Sequence, residues 1–266
     1  MTGSVWNMET YKIYPLLFGE AELDKSSLTY RRDPGVMRPI PYLGYLIRNE
    51  KTCILVDTGP GSQESCAKYH YPFRRTEAQT VEAALAKVGA TLQNVQCVII
   101  THLHFDHCGN DGLFPHAKFY VQKKELEFAH NPMPAFYGSY EKTVLLNGDE
   151  PCWYETRDRF IPVNGDFQLK DGIKLLLTPG HSPGSQSVAV NTERGIYLIA
   201  GDCIPLYESW EVKLNGYPVP GGILTDMKAF YQSFEKIEKE SDFILPGHDY
   251  RVLDHFVYPP EVESVH

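Results

Sequence analysis

The feature that most constrains this chain is a burst of three histidines and one aspartate within six residues, His102-Leu103-His104-Phe105-Asp106-His107. The burst follows the apolar run 96–101, which has the length and composition of a buried strand. Because alternate residues of an extended segment share a face, its first three polar side chains can converge, and the turn at Gly109-Asn110 lets the last histidine swing inward. This spacing suits metal ligation. On these six residues alone, polar loop residues without a ligand role remain the alternative.

Six residues cannot enclose two metals, so this interpretation needs further ligands downstream. His181 lies in the glycine- and proline-containing turn 178–184, and His248 lies in the turn 246–249. Asp202 follows an apolar run. Each of the three comes just after a strand-like segment, and the carboxyl ends of strands are where open α/β sheets place their sites. Singly each would more often be a structural turn residue, but together with the burst they predict a metal site.

Short strand-like runs dominate the rest of the chain. They cover residues 11–18, 43–48, 53–57, 96–101, 118–122, 174–178, 187–190 and 195–200. A capping box at Thr76 and Gln79 predicts a helix through Val88 that Gly89 ends, and apolar spacing predicts a second helix over 226–239. Strands mixed with helices in each half predict an α/β fold with two packed sheets and helices outside, which is a four-layer arrangement.

The length of 266 residues fits one large domain or two tightly joined halves. We predict a single domain over residues 1–266, with two pseudo-repeated halves that meet near Phe160. Residues 128–159 are rich in aromatic side chains and prolines and fit neither helix nor strand well. They are predicted to form either a lid over a pocket or an ordinary packed connection.

Charge and hydropathy disfavour several functional classes. The net charge of −9, without a run of Lys and Arg, predicts that the protein does not bind nucleic acid. The apolar runs are strand-sized and predict no membrane span, and the lack of an apolar signal core near the N-terminus predicts a cytoplasmic location. The six cysteines show no C-x-x-C spacing, so they are predicted to be reduced thiols rather than a disulfide framework.

The burst at 102–107, followed in order by His181, Asp202 and His248, resembles the metallo-β-lactamase superfamily, and the match covers nearly the whole chain. This resemblance implies the metallo-β-lactamase-like αββα sandwich. It also implies two metal sites that share the bridging carboxylate of Asp202. The ligands of the first site would be His102, His104 and His181, and those of the second Asp106, His107 and His248.

The segment Leu55-Val56-Asp57-Thr58-Gly59 also resembles the early Asp-Thr-Gly signature of this superfamily. The resemblance implies that Asp57 supports the metal ligands from behind, while a turn-forming aspartate is the alternative. The remaining histidines match no part of the pattern and are predicted to be surface or core residues. They are His70, His116, His130, His255 and His266.

The implied cofactors are two divalent metal ions. Imidazole and carboxylate ligands suit zinc, which is the default, although iron, manganese or cobalt would bind the same set. Two metals can hold a hydroxide between them, because metal binding lowers the pKa of water from about 15.7 to about 7. We therefore expect attack by this bridging hydroxide on an acyl compound, with Asp106 relaying the proton to the leaving oxygen.

Within the superfamily, Phe105 and the turns 178–184 and 246–249 make the chain most similar to N-acyl homoserine lactonases. This similarity implies a small-molecule substrate, a lactone or related cyclic ester, with an apolar portion. The lactonases commonly place a tyrosine three residues after the bridging aspartate, and this chain has Pro205 there. Tyr207 is the nearest phenol and is the candidate to assist the substrate carbonyl.

Three other functions stay open on the sequence. Thioester hydrolysis like that of glyoxalase II and phosphodiester hydrolysis would both use the same ligands, although the acidic charge disfavours a phosphate substrate. A non-catalytic metal-binding module would keep the ligands but lack an open coordination position. We make no prediction of the oligomeric state.

Overall fold

Two β-sheets packed face to face form the centre of the computed structural model, which describes residues 8–261. The strands are β1 (Lys12–Asp24), β2 (Met37–Arg48), β3 (Cys53–Val56), β4 (Phe73–Arg74), β5 (Cys97–Ile99), β6 (Lys118–Gln122), β7 (Phe160–Val163), β8 (Phe167–Lys170), β9 (Ile173–Leu177), β10 (Gln186–Thr192), β11 (Gly195–Ile199), β12 (Lys213–Leu214), β13 (Tyr217–Pro218) and β14 (Phe243–Leu245). The helices are α1 (Lys25–Leu28), α2 (Gln63–Tyr69), α3 (Val81–Lys87), α4 (Phe105–Cys108), α5 (Lys123–His130), α6 (Lys142–Leu146), α7 (Tyr207–Glu211) and α8 (Met227–Glu240).

The first sheet has the strand order β4-β1-β2-β3-β5-β6-β7, and the second has the order β14-β11-β10-β9-β8. Neighbouring strands from β3 to β7 run parallel, whereas the second sheet is antiparallel except for the pair β11 and β14. The chain leaves the first sheet at Val163 and enters the second at Phe167, close to the predicted meeting point at Phe160. That the whole chain is one domain stays a prediction.

Alternating side chains of the strands fill three apolar layers. In β3, Ile54 and Val56 face the space between the sheets, whereas Leu55 faces outward into the layer under α3. In β11, Ile199 likewise faces the other sheet, and Leu198 packs outward in the layer that includes α8. Helix, sheet, sheet and helix are therefore stacked in that order, which confirms the predicted αββα fold.

The two predicted helices differ in outcome. The capping box of Thr76 and Gln79 exists, but it begins only a 3₁₀ turn, Glu77–Gln79. Thr80 then adopts an extended conformation, and its side chain accepts a hydrogen bond from the Ala83 N–H at 3.3 Å to begin α3. The prediction of one continuous helix over 76–88 was therefore wrong, because the helical conformation is interrupted at Thr80. The second prediction is confirmed by α8, which starts after Asp226, the residue that caps it.

Residues 128–159 contain the end of α5, two 3₁₀ turns and α6, and they pack against the burst through Tyr140, which is buried. A role for this segment as a lid stays a prediction.

All six cysteines are free thiols, as the sequence predicts. Between residues 8 and 261, no helix is long and apolar enough to cross a membrane.

Candidate metal centre

Four strand ends bring the predicted ligands together at one edge of the two sheets. The burst follows β5, and its last residues form α4, with His104 at the position before the helix. From the second sheet, His181 follows β9, Asp202 lies in a 3₁₀ turn after β11, and His248 follows β14. The candidate ligands thus come from both sheets and meet where these strands end.

The donor atoms of these seven residues fall into two groups. Within each group, one nitrogen or carboxylate oxygen per residue lies within 4.8 Å of the others. The first group is His102, His104, His181 and Asp202, and the second is Asp106, His107 and His248. This division is the one that the resemblance implies.

Asp202 lies between the two groups. Its Oδ1 is 3.4 Å from His107 Nε2 and 3.0 Å from His248 Nε2, and its Oδ2 is 3.4 Å from His181 Nε2 and 3.9 Å from His102 Nε2. One carboxylate therefore presents an oxygen to each group. This is the arrangement that a bridging ligand requires.

Several donor atoms in the centre are buried without a hydrogen-bond partner. Nε2 of His102 and Nε2 of His107 are in this state, and Oδ1 of Asp202 has no aligned donor although His248 Nε2 lies 3.0 Å away. His104 Nδ1 faces His181 Nε2 at 3.0 Å. Unpaired buried polar atoms are costly and therefore rare. Divalent cations would satisfy them, and the mixture of imidazoles with carboxylates is a donor set that such cations accept. The residues present therefore fit the metals that the resemblance implies.

The charges in the centre also favour ligation. Burial, and then the neighbouring imidazoles, hold the pKa of His102 and of His104 well below its usual range, so both rings are neutral and can offer a lone pair. Burial opposes ionisation of Asp202, but positive charge on the imidazoles of His248, His107 and His181 holds its pKa well below the usual range. Burial also opposes protonation of His107 and His248, but the neighbouring carboxylates of Asp106 and Asp202 raise the pKa of both rings. Asp202 is therefore ionised, and binding of a metal would displace a proton from His107 and from His248.

Asp57 fixes the orientation of His107 from behind. Its Oδ2 lies 2.7 Å from His107 Nδ1, which leaves Nε2 of that ring directed at the centre. Thr101 holds the carboxylate through its N–H and its hydroxyl, both at 2.7 Å. Such outer partners set the ring orientation and the basicity of a metal-binding histidine. The predicted supporting role of Asp57 agrees with these contacts.

Backbone carbonyls orient two of the other rings. His181 Nδ1 donates to the Ile223 carbonyl at 2.9 Å, and His248 Nδ1 donates to the Pro41 carbonyl at 3.1 Å. In both rings this bond leaves Nε2 free to face Asp202. The ring orientations are therefore fixed by the protein fold.

Glu125 is a residue that the sequence did not indicate. It is fully buried on α5, where its Oε1 accepts hydrogen bonds from the Leu103 N–H at 2.9 Å and the Tyr140 hydroxyl at 2.6 Å. Its Oε2 accepts from the Ser182 hydroxyl at 2.6 Å and the Gly184 N–H at 3.1 Å. Burial raises the pKa of this carboxyl, while the four donors act against that rise. One carboxylate thus ties the burst to the turn that carries His181.

A narrow cavity lies over the two groups of donor atoms. His104, Asp106, His181, Asp202 and His248 form its polar wall. Apolar and aromatic side chains line most of the remaining walls, together with Ser27 and Ser139. The apolar and aromatic residues are Leu23, Leu28, Tyr42, Tyr71, Phe105, Pro205 and Ile223. Polar donor atoms and apolar side chains therefore face the same cavity.

The structure does not bring Tyr207 to this cavity. The residue begins α7, its ring lies 4.4 Å from the guanidinium carbon of Arg251, and it lines a separate surface cavity with Tyr197 and Trp210. Pro205 does line the site cavity, but it has neither a hydroxyl nor an N–H to donate. The geometry therefore gives no support to the catalytic role predicted for Tyr207.

The remaining histidines lie outside the two groups. His70 stacks on Phe105 with ring centroids 3.8 Å apart, and its Nε2 lies 2.8 Å from Glu141 Oε1. The other three within the described part of the chain, His116, His130 and His255, are exposed. His266 lies outside the described residues.

Comparisons with known proteins identify the family of this chain and relatives that are hydrolases. A family model described as the Metallo-beta-lactamase superfamily matches residues 38–248. An N-acyl homoserine lactonase of Bacillus thuringiensis is 31% identical over 256 residues, which cover 91% of this chain and 94% of that protein. One from Bacillus cereus is 29% identical with the same coverage.

Solved structures of lactonases also match. A crystal structure of a quorum-quenching N-acyl homoserine lactone lactonase superimposes with a TM-score of 0.74 and 28% identity, covering 96% of this chain and all of that chain. An N-acyl homoserine lactone hydrolase with N-hexanoyl-L-homoserine bound at its catalytic metal centre gives a TM-score of 0.73 and 27% identity, over 93% and 96% of the two chains.

Proposed function

Because the chain belongs to the metallo-β-lactamase superfamily and is a metal-dependent hydrolase, we propose that it opens a lactone or related cyclic ester, with N-acyl homoserine lactones as the first candidates. The observation that carries this proposal is the pair of donor groups joined by Asp202 beneath a cavity with apolar walls. Relatives that align with 91% of the chain at 29% and 31% identity are N-acyl homoserine lactonases, which supports the choice of substrate class.

We propose further that the two donor groups hold two divalent cations, with zinc as the default, and that Asp202 bridges them. When bound, the cations would supply a water deprotonated near neutral pH and would polarise the substrate carbonyl. His102, His104 and His181 would hold one cation, and Asp106, His107 and His248 the other. The protein's part is to fix this geometry and to exclude bulk water from the narrow cavity.

Asp106 is the candidate for moving a proton. Its Oδ2 lies 3.7 Å from Nε2 of both His107 and His248, and it borders the cavity, so it faces ligands and substrate together. Ring opening adds one water molecule: its oxygen bonds to the acyl carbon, and the bond between that carbon and the ring oxygen breaks. The Asp106 carboxylate would take the proton released from water and pass it to the ring oxygen, which becomes the product hydroxyl. The new carboxylic acid then ionises.

A pH-stat measurement of acid release tests this function. Purified protein with known metal content is offered N-acyl homoserine lactones, simple lactones, thioesters, β-lactams and phosphodiesters. We expect the highest kcat/KM with a lactone and loss of that activity after metal removal. Acid release from phosphodiesters alone, or from thioesters alone, would contradict the proposal. Elemental analysis of the same sample tests the number of metals, and we expect about two per chain.

A further inference from the structure

The walls of the site cavity contain few groups that could donate a hydrogen bond to a substrate. Apart from the candidate ligands, the side-chain donors that line it are the hydroxyls of Ser27, Tyr42, Tyr71 and Ser139. Hydrolysis of an ester puts negative charge on the carbonyl oxygen, and a positioned donor at that oxygen is one of the larger contributions to such catalysis. A hydroxyl that is fixed in place is the one best suited to this role.

Tyr42 is the buried residue among the four. It is 1% exposed, whereas Tyr71 is 52% exposed and Ser27 and Ser139 are partly exposed. The ring of Tyr42 is clamped edge-on between Phe73, at a centroid distance of 5.7 Å, and the candidate ligand His248, at 5.9 Å. A group held in this way loses little freedom when it binds a substrate atom, which favours preorganised hydrogen bonding.

Tyr42 shares the site cavity with the candidate ligands Asp106 and Asp202, and its ring contacts the candidate ligand His248. Burial, and then the carboxylate of Asp106, raise the pKa of Tyr42, so the phenol stays protonated. Within residues 8–261 no protein group forms a hydrogen bond with this hydroxyl. By contrast, the hydroxyl of Tyr45 on the same strand donates to the Pro246 carbonyl. A hydroxyl that lines a cavity and has no protein partner is available to a ligand.

The strand itself couples Tyr42 to the metal centre. The carbonyl of the preceding residue, Pro41, accepts the hydrogen bond from His248 Nδ1 at 3.1 Å. One short piece of β2 thus orients a candidate ligand through its backbone and projects a phenol over it through the next side chain. The Pro41 carbonyl and the Tyr42 side chain cannot shift independently, because both residues belong to the paired and buried part of β2.

We infer that Tyr42 is a catalytic residue whose hydroxyl donates a hydrogen bond to the substrate carbonyl oxygen as that oxygen becomes negatively charged. The inference rests on the proposed function, since it needs an acyl carbonyl in the cavity. No proton is transferred: the phenol keeps its proton, and Asp106 carries the proton that moves. The hydroxyl therefore stabilises the transition state more than it stabilises the bound substrate.

The test is Tyr42→Phe, with Tyr197→Phe as the matched control. Both changes remove one hydroxyl from a buried ring, but Tyr197 lies between the sheets, outside the site cavity. For Tyr42→Phe we expect kcat on the best lactone to fall about 100-fold, with KM within about threefold of the original value and an unchanged metal content. The control should keep its kcat within about twofold.

Calorimetric binding of inhibitors gives a readout that does not depend on turnover. The probes are a cyclic ketone analogue of the lactone and the matching cycloalkane, which lacks the oxygen. Tyr42→Phe should weaken binding of the ketone about fivefold and leave binding of the cycloalkane unchanged. An equal loss for both probes would mean that the residue only shapes the cavity, and this would overturn the inference.

The failure of each proposal has a distinct signature. If the original protein opens lactones and Tyr42→Phe keeps at least half of kcat, the role of Tyr42 is refuted and the lactonase proposal stands. If the original protein cleaves thioesters or β-lactams but no lactone, the substrate proposal is refuted, and the same comparison on the cleaved carbonyl compound decides the role of Tyr42. If only phosphodiesters are cleaved, both proposals are refuted.

Discussion

Substitution of Glu125 by glutamine tests whether the buried carboxylate joins the two ligand-bearing segments. The change keeps the size of the side chain but replaces one carboxylate oxygen by an NH₂ group. Each carboxylate oxygen of Glu125 accepts from one hydroxyl, of Tyr140 or Ser182, and from one backbone N–H, of Leu103 or Gly184. A hydroxyl can rotate and accept a hydrogen bond from an NH₂ group, whereas a backbone N–H can only donate. Glutamine therefore leaves either Leu103 or Gly184 with an unpaired buried N–H.

The size of the effect follows from these four bonds. An unpaired buried donor costs about 2 kcal/mol, and each bond that changes from a charged to a neutral acceptor loses about 1 kcal/mol. The lower desolvation cost of the neutral amide offsets part of this loss. We expect Glu125→Gln to lower the free energy of unfolding of the metal-free protein by about 3 kcal/mol. Because Leu103 and Ser182 neighbour candidate ligands, metal affinity should also fall, by about tenfold.

Urea unfolding of the metal-free protein, followed by circular dichroism, measures the first effect. Competition with a chromophoric chelator measures the second. Glu127→Gln is the matched control, because Glu127 lies on the same helix with its side chain exposed, and its pairing with Lys123 is a surface contact of 3.8 Å. This control should change stability by less than about 0.5 kcal/mol. A change equally small for Glu125→Gln would refute the reasoning, since the four bonds would then contribute little.

Four further outcomes are expected. Asp57→Asn should weaken metal binding about 10- to 100-fold in the same chelator competition, because the amide cannot support His107 as the carboxylate does; unchanged affinity would contradict that role. Asp202→Ala should abolish hydrolysis and reduce the metal content measured by elemental analysis, and two retained metals would argue against bridging. Dialysis against a chelator should lower the melting temperature, and added zinc should restore it. Tyr207→Phe should leave kcat within about twofold, and a larger loss would restore that residue as a candidate.

The candidate ligands could be predicted because their signal is local and chemical. The burst at 102–107 concentrates ligating side chains after a strand, and His181, Asp202 and His248 each follow a strand of the second half. Strand periodicity indicated where these segments end. Because the ends of strands meet at one edge of a sheet, the side chains that follow them were expected to converge. The αββα layers followed from the same alternation.

Glu125 and Tyr42 could not be predicted in this way. Glu125 lies in the charged sequence of α5, Lys-Lys-Glu-Leu-Glu, which reads as a solvated helix, and its partners lie up to 59 positions away along the chain. Tyr42 stands in the mostly apolar strand β2, where an aromatic ring is normally a core residue. Only the three-dimensional arrangement shows that one ties two loops together and the other lines the cavity.

Tyr207 and Thr80 show the limits of sequence proximity. Tyr207 is near Asp202 along the chain, but α7 begins at this residue and its ring packs beside Arg251. Thr80 lies inside an apparently continuous helical pattern, but its hydroxyl caps the Ala83 N–H and starts a new helix. In both cases a local hydrogen bond or packing contact sets a direction that the spacing of residues does not encode.

The division of the donor residues between two sheets makes the separation of the sheets a determinant of reactivity. The distance from the burst to Asp202 depends on the thickness of the apolar layer between the sheets, which includes Ile99 and Val188 and lies outside the site cavity. Shortening a side chain in that layer would let the sheets settle closer and would alter the spacing between the candidate ligands that come from the two sheets. Remote core substitutions could thus tune turnover in this enzyme, and selection could adjust its rate without touching the cavity.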